Sequence, residues 1–236
     1  MGRGRTRGPG RPSSLDEEAI AEAVLDVGFP DLTFAAVARR LGVGQATLYR
    51  HAANRDELVR LGLDLAIRRC EWPGLDGPWR PMLERWAVAS WRAWERYPGA
   101  VVEVTRGVVP PSIVLLADRV GAALMSHGFT ARDAVLAVDL VFDLAADNRR
   151  GVEALDASVR GAPATRRRLE TDWLRTPEPE RTDTDDARRA LREEMVRAIR
   201  AEPIEWFRGK LRVVLSGIES ELAPTSEDAP RRDDAS

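Results

Sequence analysis

The sequence predicts an all-α protein in two parts, an N-terminal three-helix helix-turn-helix domain and a larger C-terminal helical domain, on three observations. Apolar residues recur at spacings of three and four, with no strand-like alternation and no internal repeat. The run Trp72-Pro73-Gly74-Leu75-Asp76-Gly77-Pro78 is a cluster of helix breakers and separates residues 15–71 from residues 76–222. Residues 32–58 read as short helices joined by a tight Gly42-Val43-Gly44 turn.

The elements follow in chain order. Residues 1–14 hold Arg3, Arg5, Arg7 and Arg11 among glycines and prolines, with no acid; they form a flexible basic arm that cannot bury a core. Ser14 is expected to cap a first helix in which Ala19/Ile20, Ala23/Val24 and Val27 share a face and which Gly28 ends. Thr33 can cap the second, with Val37, Ala38 and Leu41 as its buried stripe. Gly42 sits where a helix stops at positive φ, and Gly44 can open the third helix, roughly 45–51, which exposes Gln45, Thr47, Tyr49, Arg50 and His51 and turns Leu48 inward. Asn54 caps a fourth, with Leu58, Leu61 and Leu65 on one side, running to about Glu71.

Beyond the breakers, a helix over 80–97 carries Leu83, Trp86/Ala87 and Trp91/Trp94 and stops at Pro98-Gly99. Another covers 112–125, and Thr130 caps a long one through Asn148. Residues 151–184 are polar and read as a loop with one short helix around 169–174. A helix over 185–200 follows, and Pro203 starts the last one. There Ile204, Phe207, Leu211, Val214 and Ile218 alternate by three and four, the seam of a helix packed along another helix. Residues 223–236 read as a disordered tail.

Composition narrows the function classes. At 236 residues the chain can supply a small domain and a larger one with a real core. The net charge of −2 conceals a polarity, because the first fourteen residues hold four arginines and no acid, whereas the last eleven hold Glu227, Asp228, Asp233 and Asp234 against Arg231 and Arg232. Lys210 is the only lysine; arginine suits DNA, although a GC-rich genome accounts for the bias more simply. Cys70 stands alone, so disulfide scaffolds and cysteine-based zinc sites within one chain are excluded. No apolar run approaches a membrane span and no signal-peptide core is present, so a cytoplasmic protein without membrane contact is expected. No two-histidine metal spacing, nucleophile–base set or phosphate-cradling glycine loop is found, so no metal, cofactor or catalysis is expected.

From Thr33 to Arg55 there are four arginines and no acid. A short helix with hydrogen-bonding side chains, held across a partner by a tight turn, is the helix-turn-helix solution to entering a DNA major groove. The pattern Leu32-Thr33-(x)3-Val37-Ala38-(x)2-Leu41-Gly42-Val43-(x)3-Thr47-Leu48-Tyr49-x-His51-(x)2-Asn54-Arg55-(x)2-Leu58 resembles the tetracycline-repressor (TetR) family of bacterial transcription regulators. Many members carry an aromatic just after the Tyr or His, whereas Ala52-Ala53 follow here, which points to the branch nearest the tetracycline repressor itself. The His127-Gly128-Phe129-Thr130 joint and the Trp206–Glu219 ending resemble the ligand-binding domain of that branch.

The resemblance implies roles position by position. Gln45 and Ala46 fall on base-reading positions, where an amide suits adenine and a small apolar group a thymine methyl. Thr33, Thr47, Tyr49, His51 and Arg55 fall on phosphate-contacting positions, and Arg50 on either kind. Ala35 stands where some members place a base-reading arginine, so no readout is expected from that helix. Arg5, Arg7 and Arg11 would lie in the adjacent minor groove; a solubilising tail is the other reading of the arm. In the second domain, Trp86, Trp91, Trp94, His127, Asp139, Phe142 and Asp143 are the candidate ligand site, with a mild preference for a cation. Against it, aromatic stripes are more often core, and Asp139, Asp143 and Asp147 at four-residue steps more often a solvated face. The last two long helices would pair with those of a second copy in a four-helix interface along Ile204, Phe207, Leu211, Val214 and Ile218.

The expected function is therefore a ligand-responsive transcriptional regulator, a repressor by preference. It would bind a palindromic double-stranded DNA operator as a homodimer and be released by a small organic effector. The alternative is a DNA-binding regulator whose C-terminal domain docks a protein partner and has no small-molecule pocket.

Overall fold

The computed structural model describes residues 15–155, 163–175 and 185–224, and among these it is all-helical. The first helix, α1 (Glu17–Val27), begins two residues later than expected: the Asp16 carboxylate accepts the Ala19 N–H at 2.8 Å and serves as its cap in place of Ser14. A one-turn 3₁₀ helix (Phe29–Asp31) leads into α2 (Phe34–Leu41), α3 (Gln45–Leu48) and α4 (Arg55–Arg68). Thr33 and Asn54 cap α2 and α4 as their positions predict, accepting Ala36 N–H at 3.1 Å and Glu57 N–H at 3.0 Å. α1 lies along α4 and against α2, burying Ile20, Val24, Val37, Leu58 and Val59.

The remaining helices are α5 (Trp79–Arg96), α6 (Ala100–Thr105), α7 (Pro111–Ser126), α8 (Ala131–Leu155), α9 (Pro163–Arg175), α10 (Asp185–Arg200) and α11 (Pro203–Glu221). α8 is the hub, with α5, α6, α7 and α11 all packed on it, while α9 and α10 pair with each other. One apolar core runs from α1 to α11 without a break, because α4 also packs on α7. Trp86 sits fully buried in it, stacked on Trp72 at 5.3 Å with its Nε1–H donated to the Gly74 carbonyl at 3.3 Å. The breaker segment thus packs as well as connects.

Three helical expectations need correction. α6 is absent from the predicted helices, since six residues are too few for a helical period to show. α8 runs seven residues past Asn148, because Arg149 and Glu153 look like solvent residues in sequence yet are buried against each other and α5. α9 covers 13 residues where the sequence predicts one short helix. Of the expected tail, Ala223 packs on the core beside Leu222 and donates its N–H to the Ile218 carbonyl at 2.9 Å; residues 225–236 lie outside the described residues, as does the basic arm.

Candidate nucleic-acid interface

The candidate interface is built from α2, α3 and the turn between them. Gly42 ends α2 at φ 68°, a conformation open to glycine at little cost, and its N–H returns to the Ala38 and Arg39 carbonyls. The chain then reverses and α3 starts at Gln45. Regular helix covers only four residues, but turn bonds carry the same path onward: Tyr49 N–H reaches the Gln45 carbonyl at 2.9 Å and Ala52 N–H the Leu48 carbonyl at 3.0 Å. Leu48 and Ala52 are buried and anchor this segment, so Gln45, Ala46, Tyr49, Arg50 and His51 face solvent together.

Two side-chain contacts stiffen the face. The Tyr49 ring stacks on Phe34 with centroids 4.1 Å apart and planes 10° apart, which ties the recognition segment to the first turn of α2. Arg50 donates to the Thr47 hydroxyl at 3.3 Å. Arg40, on the last turn of α2, is paired with Asp26 of α1. Thr33 spends its hydroxyl on the cap and remains exposed.

Arg55 is placed differently from its expected role at phosphate. Its guanidinium grips Glu103 of α6 with both ends, at 2.6 and 3.0 Å, and Glu103 is 5% exposed. The arrangement is the bidentate fork that makes arginine–carboxylate pairs strong, and the Glu103 hydrogen bond is the main reason the Arg55 pKa lies above its ordinary value. Arg106 adds a third contact to the same carboxylate at 3.1 Å. Beside it, Gly99 has φ 82°, and a side chain there would meet Pro30 Cδ at 2.9 Å, so the 3₁₀ turn and the start of α6 approach as only glycine permits. Glu153 of α8 accepts the Gly99 N–H at 3.0 Å, and burial drives its pKa above the ordinary carboxylate value. The first four helices are therefore latched to α6 and α8. Sequence reasoning missed Glu103, although a lone acid in the apolar run Ala100-Val101-Val102-Glu103-Val104 was a signal for a buried partner.

The expected ligand residues do not converge. Trp86, Trp91 and Trp94 are buried core, with Trp91 donating to Asn148 at 2.9 Å and stacking on Phe207 at 6.2 Å. Asp139, Asp143 and His127 are exposed, and Phe142 is half-buried. Desolvation first, then Asp139 and Asp147, raise the Asp143 pKa. Neither cavity described among these helices is lined by any of the seven. The last-helix seam is likewise turned inward: Phe207, Leu211 and Ile218 are at most 1% exposed within the single chain, packed towards α5 and α8, and have no surface left for a second copy. Ile204 and Val214 are half-buried.

A small exposed helix on a capped, glycine-turned frame defines a helix-turn-helix DNA-binding unit. Residues 18–61 match the family described as "Bacterial regulatory proteins, tetR family". The fold as a whole is similar to that of ActR from Streptomyces coelicolor without ligand (TM-score 0.73, 18% identity, 90% of this chain and 97% of that chain covered). It is also similar to ActR in complex with actinorhodin (TM-score 0.74, 18% identity, 89% and 98% covered). A TetR variant from Acinetobacter baumannii AYE in complex with minocycline superposes with a TM-score of 0.60 at 20% identity, over 88% of this chain and 98% of that one. No curated protein matches the sequence. Among the described residues no helix is long and apolar enough to cross a membrane.

Proposed function

We propose that the protein is a ligand-responsive, DNA-binding transcriptional regulator that acts as a repressor on a palindromic operator. The observation that carries this reading is the recognition segment, where Gln45, Ala46, Tyr49, Arg50 and His51 are exposed together above the buried Leu48. Gln45 and Ala46 would read base edges, and Thr33, Thr47, Tyr49 and His51 would hold phosphates. The small Ala52 after His51 is buried, and an assignment to the branch nearest the tetracycline repressor rests on it.

Two recognition segments are needed for a palindrome, so a second copy is part of the proposal. α8 and α11 pack against each other and both leave apolar residues exposed, Val135, Leu136 and Leu140 on α8 and Trp206 and Val213 on α11. These, rather than Phe207 and Leu211, are the residues we assign to a homodimer interface. The Arg55–Glu103 pair supports the regulatory part of the reading, because it joins the recognition frame to the helices that would surround an effector.

The test is selection of bound duplexes from a random library followed by titration on the enriched sequence. An inverted repeat, a complex with two chains per duplex and affinity that falls steeply with salt are expected. A direct half-site bound by one chain overturns the proposal.

A further inference from the structure

A cavity of about 1000 Å³ lies between the segment after α4, the outer face of α5 and the N-terminal part of α11, and it contains none of the residues discussed so far as sites. Trp72, Val88, Ala89 and Ala93 supply apolar lining. Arg85, Arg92 and Arg96 of α5 and Arg208 of α11 supply positive charge, against Glu71 and Glu84. Positions 85, 88/89, 92 and 96 follow the helical repeat, so arginines and small apolar residues alternate along one face of α5.

Arg85, Arg92 and Arg96 differ from most of the arginines around them. Arg60, Arg68, Arg69 and Arg80 each meet a carboxylate. Arg85 instead donates to the Asp76 main-chain carbonyl at 2.7 Å, Arg96 lies over the Tyr97 ring at 5.8 Å, and Arg92 has no partner among the described residues. Arg92 and Arg96 stand four residues apart and repel each other along the helix. Arg208 is paired with Glu205 at 2.7 Å. Unneutralised guanidinium groups beside an apolar wall suit a ligand that brings both missing parts, a carboxylate for the fork and a hydrocarbon or ring for the wall.

We propose that this groove binds an amphipathic organic anion, its apolar body against Trp72, Val88 and Ala89 and its carboxylate held by Arg92 and Arg96. The volume is at the upper end of small-molecule sites. The sign of charge is opposite to the cation preference that the acids of α8 suggested. That such binding controls DNA affinity rests on the regulatory reading above; the binding itself rests on the groove.

Cys70 gives the test a reporter, because it is half-buried in the wall of this groove, donates its thiol to the Ala66 carbonyl at 3.2 Å and is the chain's one cysteine. The rate of its alkylation by N-ethylmaleimide is measured on the full chain with decanoate, decylamine or acetate present. Decanoate is expected to slow the reaction severalfold, while decylamine (same tail, opposite charge) and acetate (head without body) leave it unchanged. In the Arg92→Gln/Arg96→Gln variant the decanoate concentration giving half protection should rise about tenfold or more, the loss of a charge-assisted bond. Arg132→Gln, an exposed site on α8 outside the groove, should not move it. Equal protection by decylamine, no protection by decanoate, or an unchanged midpoint in the double variant overturns the proposal. Operator binding is read in parallel. Protection without operator release keeps the groove and refutes its regulatory meaning, whereas release without protection puts the effector elsewhere and refutes the groove.

Discussion

The recognition segment and the last helix handle the same helical spacing in opposite ways. In residues 45–52 two small anchors, Leu48 and Ala52, go inward and the polar residues between them are left in solvent. In α11 the residues at threefold and fourfold steps, Phe207, Leu211, Leu215 and Ile218, all go inward, and the exposed apolar residues Trp206 and Val213 lie off that stripe. A surface built to touch another molecule keeps its framework minimal and local; a helix built to hold the fold uses its whole seam. Periodicity alone identifies a seam but not the helix that fills it, and here that helix belongs to the same chain.

The sharpest test of this contrast is Phe207. If it is internal, Phe207→Ala should cost about 3–5 kcal/mol in urea denaturation of the whole chain, as large-to-small changes in cores do. Val213→Asp should leave the fold intact and dissociate the dimer in sedimentation. A stable, monomeric Phe207→Ala protein would return the seam to the interface.

Gln45 tests the opposite side. Gln45→Ala should leave the melting temperature unchanged, because the side chain is exposed, yet cost about 1–3 kcal/mol at one operator position and relax preference there. A uniform loss on all duplexes would make Gln45 a backbone contact.

Arg55 stands between the two regions. Arg55→Ala removes the fork from the buried Glu103 and should lower stability by about 1–2 kcal/mol, less than for a fully buried pair because Arg55 is about a third exposed and Arg106 keeps a bond to Glu103. Combining it with Glu103→Gln should recover part of the loss, and strict additivity in the double-mutant cycle would mean the pair carries no coupling.

The smallest effect concerns pH. Glu153 has its folded pKa raised above the ordinary 4.5, chiefly by burial, with the Gly99 N–H and Arg149 opposing. Its contribution to stability is therefore full below that ordinary value and lost as pH rises through the folded value. Glu153→Gln should flatten the decline in melting temperature over that window, and parallel curves for both proteins would assign the decline to other groups.

What could be read from the sequence divides along the same line. The turn at Gly42 and the caps at Thr33 and Asn54 are local chemistry, decided within three or four residues, and the structure has them where their spacing put them. The Arg55–Glu103 latch joins positions 48 residues apart, and nothing local marks it beyond a single acid in an apolar run. The tryptophans of α5 and the acids of α8 group together by composition, but side-chain direction separates them: Trp86 points into the core and Asp139 and Asp143 into solvent. The arginine groove is hidden for the same reason, since its walls come from three separate stretches of chain.

The sparse anchoring of α3 has a practical corollary for altering specificity. Of its four residues only Leu48 is buried, and the following turn adds Ala52, so Gln45, Ala46 and Thr47 are exchangeable with little expected loss of folding free energy. A library randomised at these three positions, with Leu48, Ala52 and the Phe34–Tyr49 stack retained, should yield folded proteins in large proportion. The chain is in that sense a chassis on which new operator preferences can be selected without rebuilding the remainder.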